Sequence, residues 1–447
     1  MNPLSVRPAA RIRSAGTLFL LAATLGLATV VPDALHAQLV TGRFTTSLYT
    51  WEKFDAENSS ATYLRGFQNV QLTIAQGDVS FNTYMQGAIM TDGEAGLVRA
   101  YNMYLRWANI AQALDLTLGR QAIFGGVGYG TIDGMAAKLR LFKNRLTVSG
   151  YGGATPEGDY RGVSKSAKEN MSFGGQITTT AIPNTQLGLS YMNRRAQRDP
   201  YWTTRMRDTS FTPVPYQVTF EPESEELIGG DAYYTLTGVF SAYGRYDHDL
   251  ANNRVSRAQV GVRASITPRL GVTLESITRT PRISYNSIFT AFVPNSTQEV
   301  EAGVEYEFLS WLRAYGRLAN IQVTDESGTR WTLGLNSGYG SVSYSGSSGY
   351  VGQLQSVSVF GNYPMLENRV IPQAGIVFSS YRFSEQDDRA TALAVVLGGT
   401  WRPVRSFSLD LQGQWLTNEI YSRDLRGMLK VNYWFAERLS LFGQEAQ

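Results

Sequence analysis

Apolar and polar side chains alternate along most of this 447-residue chain, and residues 299–318 show the pattern most plainly. Glu299, Glu301, Glu305 and Glu307 share one parity, while Val300, Ala302, Val304, Tyr306 and Phe308 share the other. After a tight connection at Leu309 and Ser310 the alternation resumes, with Trp311, Arg313, Tyr315 and Arg317 set against Leu312, Ala314, Gly316 and Leu318. A period of two puts alternate side chains on opposite faces of a strand. The segment therefore reads as a hairpin with one charged and one apolar face. A turn centred on Leu309 sets Glu305 opposite Arg313 and Glu301 opposite Arg317, pairing opposite charges across the strands.

One such hairpin would also suit a soluble sandwich, but the pattern repeats from end to end. Val70, Leu72 and Ile74 alternate with Gln71 and Thr73, and Val79, Phe81, Thr83 and Met85 with Ser80, Asn82, Tyr84 and Gln86. Tyr101, Met103, Leu105 and Trp107 are set against Asn102, Tyr104 and Arg106, and Leu114, Leu116 and Leu118 against Asp115 and Thr117. The same rhythm returns near 187–191, 260–264, 270–274, 331–335 and 407–411. The connections carry a second order. Short ones near 77, 143–144, 182–184, 267–268, 309–310, 339–340 and 402–403 alternate with longer polar ones at 52–63, 123–130, 155–170, 196–226, 280–297, 383–389 and 418–424. Segments of about ten alternating residues, with short turns at one end and long loops at the other, are the pattern of an all-β, transmembrane, antiparallel up-and-down β-barrel. About 22 strands are expected, within a range of roughly 18–22 because weak segments near 340–362 can merge.

Residues 1–37 have the layout of a secretory signal: a basic stretch with Arg7, Arg11 and Arg13, an apolar run over 17–31, and the small residue Ala37 before Gln38. The expected organisation is a signal peptide, 1–37, and a single barrel domain, 38–447, delivered to the outer membrane of a diderm bacterium. Removing those three arginines and Asp33 brings 40 Lys plus Arg against 37 Asp plus Glu to within one charge of neutrality. Nucleic acid is thereby disfavoured as a partner. The chain has no cysteine, which excludes disulfide frameworks and thiolate metal sites.

Near the end, Leu429, Val431, Tyr433 and Phe435 alternate with Lys430, Asn432 and Trp434, and this resembles the C-terminal signature read by the insertion machinery of bacterial outer-membrane proteins. Residues 436–447 follow, and Leu439 and Leu441 are placed to add one further short strand. Leu118-Gly-Arg-Gln121 followed by Gly130-Thr-Ile-Asp-Gly134 resembles a pattern of bacterial porins and alginate-export-type barrels, a strand ending in GRQ, a glycine-rich loop and a strand opening on DG. The resemblance implies a pore moving hydrophilic solutes or polysaccharide across an outer membrane, with no catalytic residues. Arg120 has the lipid-facing parity of Leu114, Leu116 and Leu118; either Gly119 makes a bulge that turns it inward, or it snorkels at the rim.

No catalytic, cofactor or metal site is expected. His248, in Tyr246-Asp-His-Asp249, reads as a solvated rim residue, and Asp247, Asp249, Asn252 and Asn253 read as a polar turn without calcium-loop spacing. Charge should collect on the lumen face, because arginine facing lipid is costly at mid-membrane. That parity selects Lys138, Arg140, Asp231, Arg245, Asp247, Arg257, Arg263, Glu275, Glu299, Glu301, Glu305, Glu307, Arg313, Arg317 and Arg330 as lumen-lining candidates. The longest connection, 196–226, is the expected gate, with Arg198, Tyr201, Trp202, Arg205, Arg207, Glu223, Glu225 and Glu226. Passive passage of hydrophilic solutes is the leading expectation. The alternatives are an exopolysaccharide export conduit with periplasmic partners, and a structural or adhesion barrel with a filled lumen. Expected contacts are membrane lipid, lipopolysaccharide and the barrel-assembly machinery.

Overall fold

The computed structural model describes residues 38–54, 60–90, 97–156, 170–196, 201–206, 213–219, 223–281, 295–350, 352–384 and 386–439. The candidate signal segment lies outside the described residues, as do Arg198 and Arg207 of the longest connection. Alternating segments rich in β-branched and aromatic residues become strands, as their propensity favours. In chain order they are β1 (Gln38–Phe54), β2 (Ser60–Gln76), β3 (Val79–Met90), β4 (Leu97–Ile110), β5 (Leu114–Gly125), β6 (Gly128–Leu141), β7 (Leu146–Ala154) and β8 (Met171–Thr179). Then come β9 (Thr185–Ala196), β10 (Tyr201–Met206), β11 (Pro213–Val218), β12 (Glu223–Leu236), β13 (Phe240–Asp249), β14 (Arg254–Thr267), β15 (Leu270–Arg279) and β16 (Thr297–Leu309). The last are β17 (Leu312–Val323), β18 (Glu326–Ser337), β19 (Gly340–Gly349), β20 (Gln353–Asn362), β21 (Val370–Arg382), β22 (Ala390–Val404), β23 (Phe407–Thr417) and β24 (Asp424–Leu439).

Each wall strand pairs antiparallel with its neighbours in sequence, except that β9 pairs with β12 and the β10–β11 hairpin forms a sheet of its own. β24 returns to pair with β1 from Gln38↔Leu439 to Trp51↔Arg426, which closes a 22-stranded sheet. Closure gives every strand of the wall two neighbours, the condition for spanning hydrocarbon with strands. Strands spaced about 4.8 Å apart and tilted about 40° enclose a cylinder of about 45 Å between backbones.

The apolar parity faces outward. Leu118 is 61% exposed, Leu318 57% and Leu411 60%, far more than side chains of a soluble core. A continuous apolar surface of this extent is suited to lipid and would be a liability in water. Aromatic rings pack over the outer face of the seam, where Phe44 stacks on Phe435 with centroids 5.5 Å apart. On the inner face, buried Asn432 of β24 joins three strands. It accepts from Arg43 Nη2 (2.7 Å) and Thr45 Oγ1 (2.9 Å) of β1, and donates to Ser408 Oγ and Asp410 Oδ2 of β23 (both 3.0 Å). Thr400 of β22 donates to the other oxygen of Asp410 at 2.6 Å.

Several expectations change. The β16–β17 turn lies at Ser310 and Trp311, and a register shift between Glu307 and Leu309 leaves Phe308 as the extra residue. Arg313 therefore lies opposite Glu307, not Glu305, and Arg317 opposite Gly303, between Glu301 and Glu305. β22 runs through 402–403 to Val404, with Pro403 inside a register shift where its missing N–H costs no ladder bond. The 340–362 region keeps two strands, β19 and β20. Leu439 ends β24 itself instead of starting another strand, and Leu441 lies outside the described residues.

Asn432→Leu leaves Arg43 and Asp410 short of a partner in a water-poor seam. It should cost about 2–3 kcal/mol, read as a lower urea midpoint for loss of the folded, heat-modifiable band, with the slope of the transition unchanged.

Candidate functional site

The interior is organised by a hairpin that leaves the wall. β5 pairs with β4 only as far as Arg120↔Met103, and β6 pairs with β7 only from Asp133↔Ala154. Between those points residues 121–132 pair with each other alone, from Gln121↔Ile132 to Gly125↔Gly128. Sequence reading took 123–130 as a surface loop; it is the end of this hairpin, with a two-residue turn at Gly126 and Val127. Gly126 has φ +54°, which suits the first central position of such a turn.

The point of departure is the GRQ…IDG motif. Its two halves face one another, Gly119 opposite Gly134, Arg120 opposite Asp133 and Gln121 opposite Ile132. Gly119 adopts φ +122°, and a Cβ there would collide with the Met103 carbonyl oxygen. Arg120 holds Asp133 with two prongs, Nε–Oδ1 at 2.6 Å and Nη2–Oδ2 at 2.7 Å, and Nη1 donates to the Ala100 carbonyl at 3.0 Å. Its side chain is only 10% exposed. The pairing resolves the parity conflict: the lipid-parity charge meets an opposite charge of the same parity on the next strand, with no register shift at Gly119.

From there the hairpin crosses into the lumen. Val127 at its tip packs with Met192 of β9 and Leu227 of β12, both of lumen parity and essentially without exposure, with Tyr129 against them. Val127 N donates to Ser190 Oγ at 3.0 Å. Gly229 of β12 forms the slot for the tip, since a Cβ there would stand 2.5 Å from Val127 Cγ1 and 2.7 Å from Asp247 Oδ1. Arg245 Nη2 donates to the Gly126 carbonyl at 2.8 Å while Nε donates to Asp247, itself 2% exposed. Tyr129 OH donates to Glu225 Oε2 at 2.7 Å, and the Arg194 guanidinium lies 5.5 Å over the Tyr129 ring. Ser190 and Gly229 sit near the middle of their strands, so the tip rests at about mid-height. Five paired positions extend about 17 Å, well short of the barrel width. The hairpin therefore covers the β6–β13 arc.

A second group of charges lines β14–β18. Glu299, Glu301, Glu305 and Glu307 form a row on β16, flanked by arginines on both sides. Arg263 reaches Glu305 (3.0 Å), Arg279 reaches Glu299 (3.7 Å), Arg313 reaches Glu307 (3.8 Å) and Arg317 lies within 4.0 Å of Glu301 and Glu305. Arg330 bonds both Glu299 and Glu301, and Tyr243 OH donates to Glu275. Exposed pairs of this kind are each worth about 0–1 kcal/mol; together they neutralise the row. Asp115 similarly takes two bonds from Arg140 (2.8 and 2.9 Å) and one from Arg106 (3.1 Å). Arg257 lies opposite Asp247 and bonds Gln259, Asp231 lies opposite Arg245, and Lys138 is exposed on the same face.

Of the candidate gate, residues 201–206 and 213–218 form the β10–β11 hairpin, which pairs with itself. Tyr201, Trp202 and Arg205 are exposed there, with Arg205 4.1 Å over the Tyr216 ring. Glu225 instead anchors the inward hairpin, and Glu226 accepts from Tyr191 OH at 2.6 Å. Glu223 begins β12. His248 lies within 3.4 Å of Tyr246 OH and 3.3 Å of Asn253 Oδ1, on the face opposite Asp247 and Asp249. Asp249 accepts from the Asn252 backbone N and side-chain Nδ2 and caps the turn. The residues that sequence reading missed are Val127, Tyr129, Ser190, Met192, Leu227 and Gly229. The available signal was Arg120 and Asp133, opposite charges at lipid parity flanking a glycine-rich segment.

The chain has no native cysteine. A Val127→Cys/Met192→Cys variant should therefore form a single internal disulfide in the folded barrel, detected as a mobility change reversed by reductant. Adding Gly229→Val should abolish that crosslink by filling the slot that receives the tip.

No family model matches the chain, and no curated protein matches it. Among solved structures it is similar to the translocation pore of the P pilus usher PapC, at 8% identity and TM-score 0.47, over 89% of this chain and 99% of that one. It is also similar to Pseudomonas aeruginosa OccK3 (OpdO), at 9% identity and TM-score 0.42, over 89% and 96%. Acinetobacter baumannii OccAB4 matches at 9% identity and TM-score 0.39, over 91% and 100%. At such identities no interior side chain is carried over from these relatives.

Proposed function

We propose that this protein is an outer-membrane channel for passive passage of hydrophilic solutes, reached by export through the 1–37 signal. In this reading the short connections and both strand termini face the periplasm and the long connections face outward. The observation that supports it most is the pairing of a closed wall, polar inside and apolar outside, with a hairpin clamped across one part of the lumen. A barrel whose purpose was structural would be better served by a packed interior. Here residues 121–132 occupy one arc and are fixed there by Arg245, Ser190 and Glu225. The passage that remains is bordered by the β14–β18 charge row and by serines of β19–β21, where Ser343 meets Ser358 at 2.6 Å and Ser356 meets Ser379 at 2.9 Å.

The hairpin acts as a fixed constriction. Its tip is held by hydrogen bonds from three different strands and by a small apolar cluster, so opening would break all of them together. Solute size is then limited by the gap between the hairpin and the facing wall, and charge selectivity by the paired row on β16.

Purified barrel in planar lipid bilayers should pass a steady ion current, and absence of current at all voltages would remove the channel reading. Replacing 122–131 by Asn-Gly should raise single-channel conductance several-fold, because the wall above Arg120 and Asp133 is untouched. Changing Glu299, Glu301 and Glu305 together to Gln leaves their arginines unneutralised, and the reversal potential in a salt gradient should move toward anion preference, less so at high ionic strength.

A further inference from the structure

Apart from the exposed Lys138, the interior charges described above lie beside protein partners. A different patch on the inner wall has polar groups to spare. The register sets Trp434, Arg43, Gln71, Tyr84 and Asn102 side by side on β24, β1, β2, β3 and β4, and Thr41, Thr73, Asn82 and Tyr104 on the adjacent rung. These two rungs line a concavity of about 520 Å³. A second concavity of about 390 Å³, at the foot of the inward hairpin, shares Asn102 and Tyr104 with it. The side-chain amides of Gln71 and Asn102 and the hydroxyl of Tyr104 have no hydrogen-bond partner among the described residues, and Gln71 is exposed to the lumen.

Arg43 is the one charged side chain in the two rungs, and its Nε is buried. It donates to Asn432 and lies 5.3 Å over the Trp434 ring. What the patch offers a solute is therefore two aromatic surfaces, Trp434 and Tyr104, beside amides that both donate and accept. That combination suits a molecule with an apolar ring face and a rim of uncharged hydroxyls. The C–H face of a sugar ring can lie on an aromatic ring as any apolar surface does, while its hydroxyls replace water on the free amides. Volumes of this size fall within the roughly 300–1,000 Å³ of small-molecule sites; the second concavity is lined also by Arg106, Asp115 and Lys138, of which Arg106 and Asp115 pair with each other.

We propose that this patch is a binding site for a short neutral oligosaccharide, with Trp434 and Tyr104 as stacking surfaces and Gln71 and Asn102 as hydroxyl partners. Its position follows from the strands. Arg43 lies in the early part of β1 and Gln71 in the late part of β2, so the patch sits toward the short-connection end, past the hairpin tip for a solute entering from the long loops. The site deepens the channel reading and rests on it, because it needs the interior to be open to water and solute.

The test is calorimetric titration of the detergent-solubilised full barrel with maltohexaose and, in parallel, with hexagalacturonate. Millimolar or tighter binding of maltohexaose is expected, weakened at least tenfold in Gln71→Ala/Asn102→Ala and in Trp434→Ala, and restored to within about threefold in Trp434→Phe. Gln71 and Asn102 donate no side-chain bond to the wall, so the double variant should fold, and its heat-modifiable mobility checks this. No maltohexaose binding to the wild-type barrel, equal binding by the double variant, or tighter binding of hexagalacturonate would each overturn the proposal. The titration needs no ion current. A barrel that binds but does not conduct fails the channel reading alone, and one that conducts but does not bind fails this inference alone.

Discussion

The structure depends on one demand: every backbone N–H and C=O in hydrocarbon must find its partner within the protein. Sheet closure between β1 and β24 meets it, and much else follows. Outward positions become apolar because their solvent is apolar, which is why Leu118 and Leu411 are mostly exposed in a stable fold. The closing seam joins the most distant parts of the chain, so it carries the largest loop-closure cost. Its inner face is correspondingly dense in polar contacts, with Asn432 linking Arg43, Thr45, Ser408 and Asp410.

Closure moves the problem of burial inside. A wall this wide cannot be filled by its own side chains, and a conventional core would be out of place. The best-buried apolar cluster, Val127, Met192 and Leu227, lies in the lumen beneath the inward hairpin. The hairpin exists because the wall releases it: beyond Arg120 and Asp133 neither β5 nor β6 has a flanking strand. Left outside, its two free edges would invite pairing with another chain. Folded inward, it is covered and held by partners on β9, β12 and β13. The Arg120–Asp133 pair stands where strands in lipid contact become strands in water, and breaking such a largely buried pair by removing one member costs about 3–5 kcal/mol.

These particulars show what the sequence could convey. A period of two survives any error in boundaries, so the barrel, its up-and-down order and the face carrying Glu299–Glu307 were all legible. Register was not, because a single extra residue at Phe308 moved Arg313 from Glu305 to Glu307. Nor was the inward hairpin. Glycines at 125, 126, 128 and 130 read as a loop because glycine marks turns, whereas here they allow a two-residue turn and close contact with Ser190 and Tyr151. Length carried no sign of the inward hairpin either. Residues 201–206 and 213–218 of the longest connection form an exposed hairpin, while the hairpin that enters the lumen turns in only two residues. What fixes an element inside is the complementary slot at Gly229 and the donor at Arg245, and both lie about 100 residues away in sequence.

The interior is thus divided into arcs with different chemistry, and the division decides where selectivity can arise. On β14–β18 acid and base alternate within 3–4 Å. Fields from such close pairs largely cancel over a distance comparable with the screening length in salt, about 8–10 Å, so an ion in the lumen would be steered only near the wall. On β18–β21, hydroxyls bond to one another and offer a neutral, weakly interacting surface. In the proposed channel, discrimination between uncharged solutes would fall to the arc where groups remain unmatched, on β1–β4 beside β24. A polar group that already has its partner gains little by exchanging it for a solute, whereas a free amide exchanges only water. The fold places that unmatched arc beside the hairpin's foot, where its concavity adjoins the one lined by Gln121–Gly125.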